Sequence, residues 1–363
     1  EEDLVIGTFG RAAWVLDDIR PLRAIAEDPA LLEQEIELFT PPDAYLAAYQ
    51  QPTGSRFGGD ALYNAENRQK GAMITYYLKE GYKKKKVDGK TSENKADEAS
   101  KEDNTKADEK VKKDSIKLKV YEKDQLIRTL KFKTPEKAGF HRVYWNLDQR
   151  GVQNPTRKIS KDSKEAAGMM VRPGKYRLVM ELGENSDTTE IEVLADPRLE
   201  TNPTAQEEIF SAREDLTNYK QLAADAVEQL VESKSTTEEL LKKLKKQDKD
   251  AFEANIESSE EMIKSIDSLL ALYLGKEDKR QGIIRNQEMT VMKRIRTAER
   301  YIQTSRNEFS STEQKLVQFA REDLGKALKE TNEFYAVKWS EYKTAIDALS
   351  LSPFKEVKSF ELE

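Results

Sequence analysis

The chain has 363 residues, 61 of them basic and 67 acidic, for a net charge of −6. That length allows two or three domains, and that balance leaves no basic footprint for nucleic acid. Cysteine is absent and His141 is the single histidine, which excludes disulfides, thiol catalysis and zinc-thiolate sites and confines any histidine chemistry to one residue. No run approaches the ~20 apolar residues that a membrane-spanning helix needs.

The opening stretch, DLVIGTFGRAAWVLDDIRPLRAI, contains two short apolar strand runs, Leu4–Ile6 and Ala12–Leu16, around a Gly-Phe-Gly turn. Two strands cannot bury Val5, Phe9, Trp14 and Leu16 by themselves, because an isolated hairpin is marginal in water. Neither an initiator Met nor a signal peptide precedes them. The expectation is therefore the C-terminal part of a longer protein, cut inside a β-rich domain, with residues 1–54 as its remnant. A helix-compatible piece follows over Arg20–Leu32. Then come a strand over Glu35–Phe39 and turn signals at Thr40-Pro41-Pro42-Asp43 and Gln51-Pro52-Thr53-Gly54.

Residues 71–80, GAMITYYLKE, have the β-branched and aromatic content of a strand. Next is a low-complexity tract, in which 20 of the 32 residues from Lys83 to Asp114 are charged. Such a segment buries too little apolar surface to offset its ordering entropy, and it reads as an expanded, mobile loop, 83–114. Alternation resumes at Ile116, Leu118 and Val120. It continues through Leu126–Phe132, Phe140–Leu147, Gly174–Leu182 and Thr188–Leu194. Short strands separated by turns predict an immunoglobulin-like antiparallel β-sandwich over 55–196.

After Asp196-Pro197 the period changes from two to 3.6. Thr204-Ala-Gln-Glu207 reads as a capping box, and Ile209, Ala212, Leu216, Tyr219, Ala223, Ala226 and Leu230 form the stripe behind it. Thr236-Thr-Glu-Glu239 is expected to open a second helix, with a break possible near 247–250 and a stop at Gly275. Val291, Ile295, Ala298 and Ile302 mark a third helix, and Ser310-Ser-Thr-Glu313 caps a fourth. Together they predict an antiparallel four-helix bundle over 197–363.

Three stretches carry a family resemblance. VIGTFGRAAWVLDDIRPLR resembles the closing blade of bacterial BNR-repeat, sortilin-like β-propellers, often labelled glycosyl hydrolases. GAMITYYLK, IKLKVYEKDQLIRTLKF, GFHRVYWNLDQRG and VRPGKYRLVMEL resemble the sandwich that follows such propellers, which is similar to the immunoglobulin-like fold of flagellar hook-capping proteins. FYAVKWSEYKTAIDALSLSPFKEV resembles the helical domain that closes these chains. The resemblance implies a propeller-blade remnant, a sandwich and a helical bundle in a large extracytoplasmic protein, periplasmic or secreted, whose propeller lies upstream. In related sialidases and xyloglucanases the catalytic residues sit on the propeller, and the Ser-x-Asp-x-Gly-x-Thr-Trp repeat box is absent from this chain. No catalytic, cofactor-binding or metal-binding residue is carried over.

Candidate chemistry on the residues themselves is sparse. Asp17 and Asp18 are adjacent carboxylates, yet neighbours on a strand point to opposite faces, and a glycosidase pair sits ~5–9 Å apart across a cleft. Capping or a turn hydrogen bond is the plainer role. His141 shares its parity with Val143 and Trp145 and reads as a structural histidine. Tyr144, Tyr76 and Tyr77 are the candidate ligand surface, an aromatic platform for sugar rings, while Trp145 alternates with apolar residues and reads as core. The Lys83–Lys86 run has acidic neighbours within a Debye length of ~8 Å, which blunts its field. Glu238/Glu239 and Glu260/Glu261 are helical neighbours that do not share a face.

The expected function is that of a non-catalytic structural and interaction region that closes and buttresses the upstream propeller. One alternative is a part of an active glycoside hydrolase with upstream catalytic residues; another is a carbohydrate-binding module. The expected partners are that propeller and a carbohydrate or peptide ligand.

Overall fold

The computed structural model describes residues 2–10, 13–47, 69–79, 115–158, 165–200, 202–246, 252–277, 288–305 and 308–349. The charged tract 83–114, the Lys83–Lys86 run and the tripeptide Pro52-Thr53-Gly54 lie outside them. The fold is mixed, β followed by α. The chain divides into two compact units, one built from 1–150 and 170–199, the other from 151–169 and 200–363.

In the first unit, β1 (Leu4–Gly7) and β2 (Ala13–Leu16) form a two-stranded antiparallel sheet of their own. Helix α1 (Arg20–Glu27) follows, with Pro21 in its first turn, and a 3₁₀ turn spans Pro29–Glu33. Strand β3 (Ile36–Leu38) pairs with β5 (Ala72–Leu78), which pairs with β8 (Gly139–Trp145), all antiparallel. A second sheet runs β4 (Ala44–Tyr45), β12 (Asn185–Leu194), β11 (Gly174–Leu182), β6 (Ser115–Glu122), β7 (Gln125–Lys133). In it only the β4–β12 pairing is parallel. Residues 36–45, expected within the 1–54 remnant, thus join strands of the segment after 55. Ile36 and Leu38 are buried beside Ile74 and Leu78, which explains why they do so.

Both sheets contribute to one core. Ile74, Tyr76 and Trp145 come from the smaller sheet, and Leu118, Tyr176 and Met180 from the larger. Trp145 meets Tyr176 edge to face at 5.5 Å, and its indole N–H donates to the Asp148 carbonyl at 2.9 Å. The ion pair of Arg128 and Asp148, 3.2 Å apart, is buried as well. Gly71 opens β5 with φ +99°, and a Cβ there would lie 2.3 Å from the Trp145 carbonyl oxygen, so only glycine fits. Strand β9 (Asp148–Gly151) follows β8, and strand β10 (Ala166–Met170) precedes β11.

The second unit contains helices α2 (Pro203–Leu244), α3 (Glu253–Leu274), α4 (Val291–Thr304), α5 (Ser311–Phe334) and α6 (Ser340–Asp347), with a π turn at Tyr335–Trp339 between the last two. Their predicted stripes meet in one core that includes Leu216, Leu230, Ile266, Ile295, Ala298 and Leu324. Three tyrosine hydroxyls are satisfied inside it. Tyr273 bonds Thr331, Tyr335 bonds Ser233, and Tyr342 bonds Ser259, each at 2.9 Å. Lys234–Asp267 at 2.7 Å joins α2 to α3, and Arg294–Asp323 at 2.9 Å joins α4 to α5. Among the described residues no helix is long and apolar enough to cross a membrane.

Two expectations about helix ends are corrected. The cap of α2 is Asn202, whose side chain accepts from the backbone N–H groups of Thr204 and Ala205; Thr204 lies inside the first turn. No second helix opens at Thr236. The hydroxyls of Thr236 and Thr237 donate back to the carbonyls of Glu232 and Ser233 at 3.0 and 2.8 Å, which lets the helix pass through both residues. By contrast, the capping box of Ser310 and Glu313 forms as expected, with both reciprocal hydrogen bonds present.

Candidate functional site

The unusual surface of the first unit is the β1–β2 hairpin. Its register sets Leu4 against Leu16, Val5 against Val15, Ile6 against Trp14 and Gly7 against Ala13. Leu4, Ile6, Trp14 and Leu16 therefore share one face, and Val5, Gly7, Ala13 and Val15 share the other. Every one of these residues is exposed, Val5 at 63% and Trp14 at 65%. Neither strand carries a charge or a proline, the usual devices that blunt an open edge.

The base of this hairpin is clamped while its strands are not. Asp18 sits two residues beyond β2 at φ +54° and is buried. Its backbone N–H donates to the Asp3 carboxylate at 2.9 Å, and its own Oδ1 receives Arg20 Nε at 2.7 Å. Arg20 also reaches the Pro41 carbonyl at 3.4 Å, and Ile19 N–H donates to the Glu2 carbonyl at 2.7 Å. Arg142 on β8 donates to the Asp17 carbonyl, and Arg23 pairs with Glu2. Asp18 thus makes the turn hydrogen bond that sequence suggested, and Asp17 offers a backbone acceptor. Arg20 and Arg142 escaped sequence reading. Only the proximity of Arg20 to the aspartate pair hinted at the first, and nothing local hinted at the second.

The three tyrosines do not form one platform. Tyr76 is 1% exposed and faces the core, and burial pushes its hydroxyl pKa up to about 12. The expectation of Tyr76 as a ligand-surface residue is corrected, because it has the parity of Ile74 and Leu78. Tyr77 and Tyr144 have the opposite parity and are half-buried. Tyr144 lies opposite Met73, whereas Tyr77 lies opposite Phe140, whose ring it meets edge to face at 5.5 Å. The two tyrosines therefore share a face at opposite ends of the β5–β8 ladder.

His141 is half-buried and tilted against Tyr76 at 5.5 Å, with Nε2 2.8 Å from the Lys137 carbonyl, so that nitrogen carries the proton and donates. Glu37 is a separate titratable feature. Burial pushes its carboxyl up to about 6, helped by the nearby charges of Asp187 and Asp28. Asp187 Oδ2 itself accepts from the Leu38 N–H at 2.6 Å, which keeps its charge beside β3. Glu260 pairs with Lys245 at 2.7 Å on the helical unit, a surface contact. Among the described residues no group of three or more His, Cys, Asp or Glu side chains is placed to hold a metal ion. Comparison with family models, with curated proteins and with solved structures found no match for this chain.

Proposed function

We propose that this chain is a non-catalytic structural and interaction region of a BNR-repeat, sortilin-like β-propeller protein. In this reading the β1–β2 hairpin supplies strands to a propeller sheet, and an immunoglobulin-like sandwich and a helical bundle buttress it in an extracytoplasmic setting. The observation that carries the reading is a hairpin apolar on both faces and, among the described residues, open on both edges, held at its base by Asp18, Arg20 and Arg142. An antiparallel sheet usually keeps one face wet. A sheet apolar on both faces suits a blade, which lies between two neighbouring blades. The sandwich reading is supported by buried Trp145 packed on Tyr176, and by the Tyr176 hydroxyl donating 2.7 Å back to the Arg172 carbonyl, an arrangement like the tyrosine corner of such sandwiches.

The test is hydrogen exchange on the chain mixed with a BNR-repeat propeller lacking its closing strands. Backbone amides of residues 4–7 and 13–16 should become protected in the mixture, and Val5→Lys should abolish that protection. Unchanged exchange in the mixture would remove the reading.

A further inference from the structure

A groove of about 630 Å³ lies on the second unit, and all of its lining residues belong to that unit. Its floor includes Leu274 and Met292, and its walls bear Arg157, Lys293, Arg296 and Arg300. Helix α4 is the source of the charge. Lys293, Arg296 and Arg300 stand at i, i+3 and i+7, so they form one stripe about 10 Å long at a rise of ~1.5 Å per residue. All three are exposed.

The basic residues of α4 are sorted by role. Arg294 is turned to α5, where it pairs with Asp323 at 2.9 Å and lies over the Phe319 ring at 5.1 Å. Arg296 and Arg300 have no ion-pair partner among the described residues; Arg300 lies 5.8 Å over Tyr301. Arg157, on the facing wall, donates to the Gly275 carbonyl and sits 3.9 Å from Asp267, so it braces the C-terminal end of α3. Among the lining residues the carboxylate is Glu288, which lies 3.4 Å from Lys276. Like charges at helical i, i+3 and i+4 spacing repel one another. Glu299 stands on the same helix, where its charge interacts with Arg296, but among the described residues that line the concavity four cations face one carboxylate.

We propose that this groove binds a small polyanion, a compact molecule bearing two or more phosphate or carboxylate groups. Its volume falls in the range of small-ligand sites, roughly 300–1,000 Å³. Arginine forks match oxyanions with charge-assisted, bidentate hydrogen bonds, and the apolar floor suits the ligand's carbon body. The site is independent of the hairpin and of the propeller reading.

Isothermal titration calorimetry on the full chain tests it, with inositol hexakisphosphate as the phosphate probe and trigalacturonate as the carboxylate probe, at 50 and 200 mM salt. At least one probe should bind, more weakly at the higher salt. Arg296→Gln with Arg300→Gln should weaken binding by about tenfold or more, as expected for the loss of charged hydrogen bonds. The matched control, Lys326→Gln with Lys329→Gln, removes the same charge from exposed positions on α5 and should stay within about twofold. Which probe binds identifies the anion. Silence from both probes, equal losses in the two double variants, or tighter binding of a ten-nucleotide single strand would overturn the proposal.

Discussion

The β1–β2 hairpin and strand β5 are built from the same kind of residue and end in opposite surroundings. LVIG and AWVL leave every side chain in solvent, whereas AMITYYL buries six of its seven. The difference is in neighbours. Strand β5 has β3 on one edge and β8 on the other, and its Ile74 and Tyr76 face the larger sheet's core residues. Among the described residues the strands of the hairpin pair only with each other. Apolar content alone thus decides that a strand wants cover; the number of sheets within reach decides whether it gets any.

The largest expected effect tests that contrast directly. Trp145→Ala should destabilise the first unit by about 3–5 kcal/mol, through a large cavity and a lost hydrogen bond to Asp148. Chemical denaturation followed by tryptophan fluorescence and circular dichroism measures it. A loss under about 1 kcal/mol would mean that the two-sheet core does not depend on this residue. Next comes the clamp. Arg20→Ala leaves the buried Asp18 carboxylate without its cation and should cost about 1–3 kcal/mol locally. Faster amide exchange at Asp18 and Ile19, with β5 unchanged, would separate the hairpin's tether from the core. Unaltered exchange at those amides would break the account of the clamp.

Smaller effects sharpen the comparison. Tyr176→Phe removes the hydroxyl bond to Arg172 and should cost about 1 kcal/mol by thermal unfolding. Glu37→Gln should stabilise by less than about 1 kcal/mol at pH 7, a discounted figure because the side chain is only partly shielded. The sign follows from linkage. With the carboxyl raised from 4.5 to about 6, the fold binds its proton more tightly than the unfolded chain does, so stability present below pH 4.5 is lost as pH rises through about 6. Melting temperatures from pH 4 to 8 should therefore converge with wild type at the acid end and diverge at the neutral end. At the bottom of the scale, Trp14→Ala should change stability by no more than about 0.5 kcal/mol, because the side chain is 65% exposed. A loss like that of Trp145→Ala would erase the distinction between the two regions.

Local chemistry made much of the architecture legible. The stripe of Val291, Ile295, Ala298 and Ile302 is buried as its spacing requires, and Ser310 and Glu313 close their box within a single turn. Misreadings occurred where one pattern serves two geometries. Thr236 and Thr237 satisfy a capping motif and equally satisfy back-bonding inside a helix, and the core around Thr237 selected the latter. Alternation showed that Tyr76 and Tyr77 point apart, yet it could not say which face meets a second sheet. Arg142 reaches a carbonyl 125 positions away, a pairing with no short-range trace. The basic stripe on α4 was present as spacing, but its concavity comes from Leu274 and Arg157, which are remote in sequence.

What the sequence determined by itself was the grammar of the elements: two-residue alternation before residue 196, 3.6-residue periodicity after it, and an opening pair of strands rich in apolar residues. Those features depend on neighbours a few residues apart. Tertiary structure alone decided that Ile36–Tyr45 joins the later strands, that Tyr76 is core, and that three cations on α4 face a hollow. Each of those outcomes depends on surfaces brought together across long stretches of chain, where side-chain burial rather than local propensity selects the arrangement.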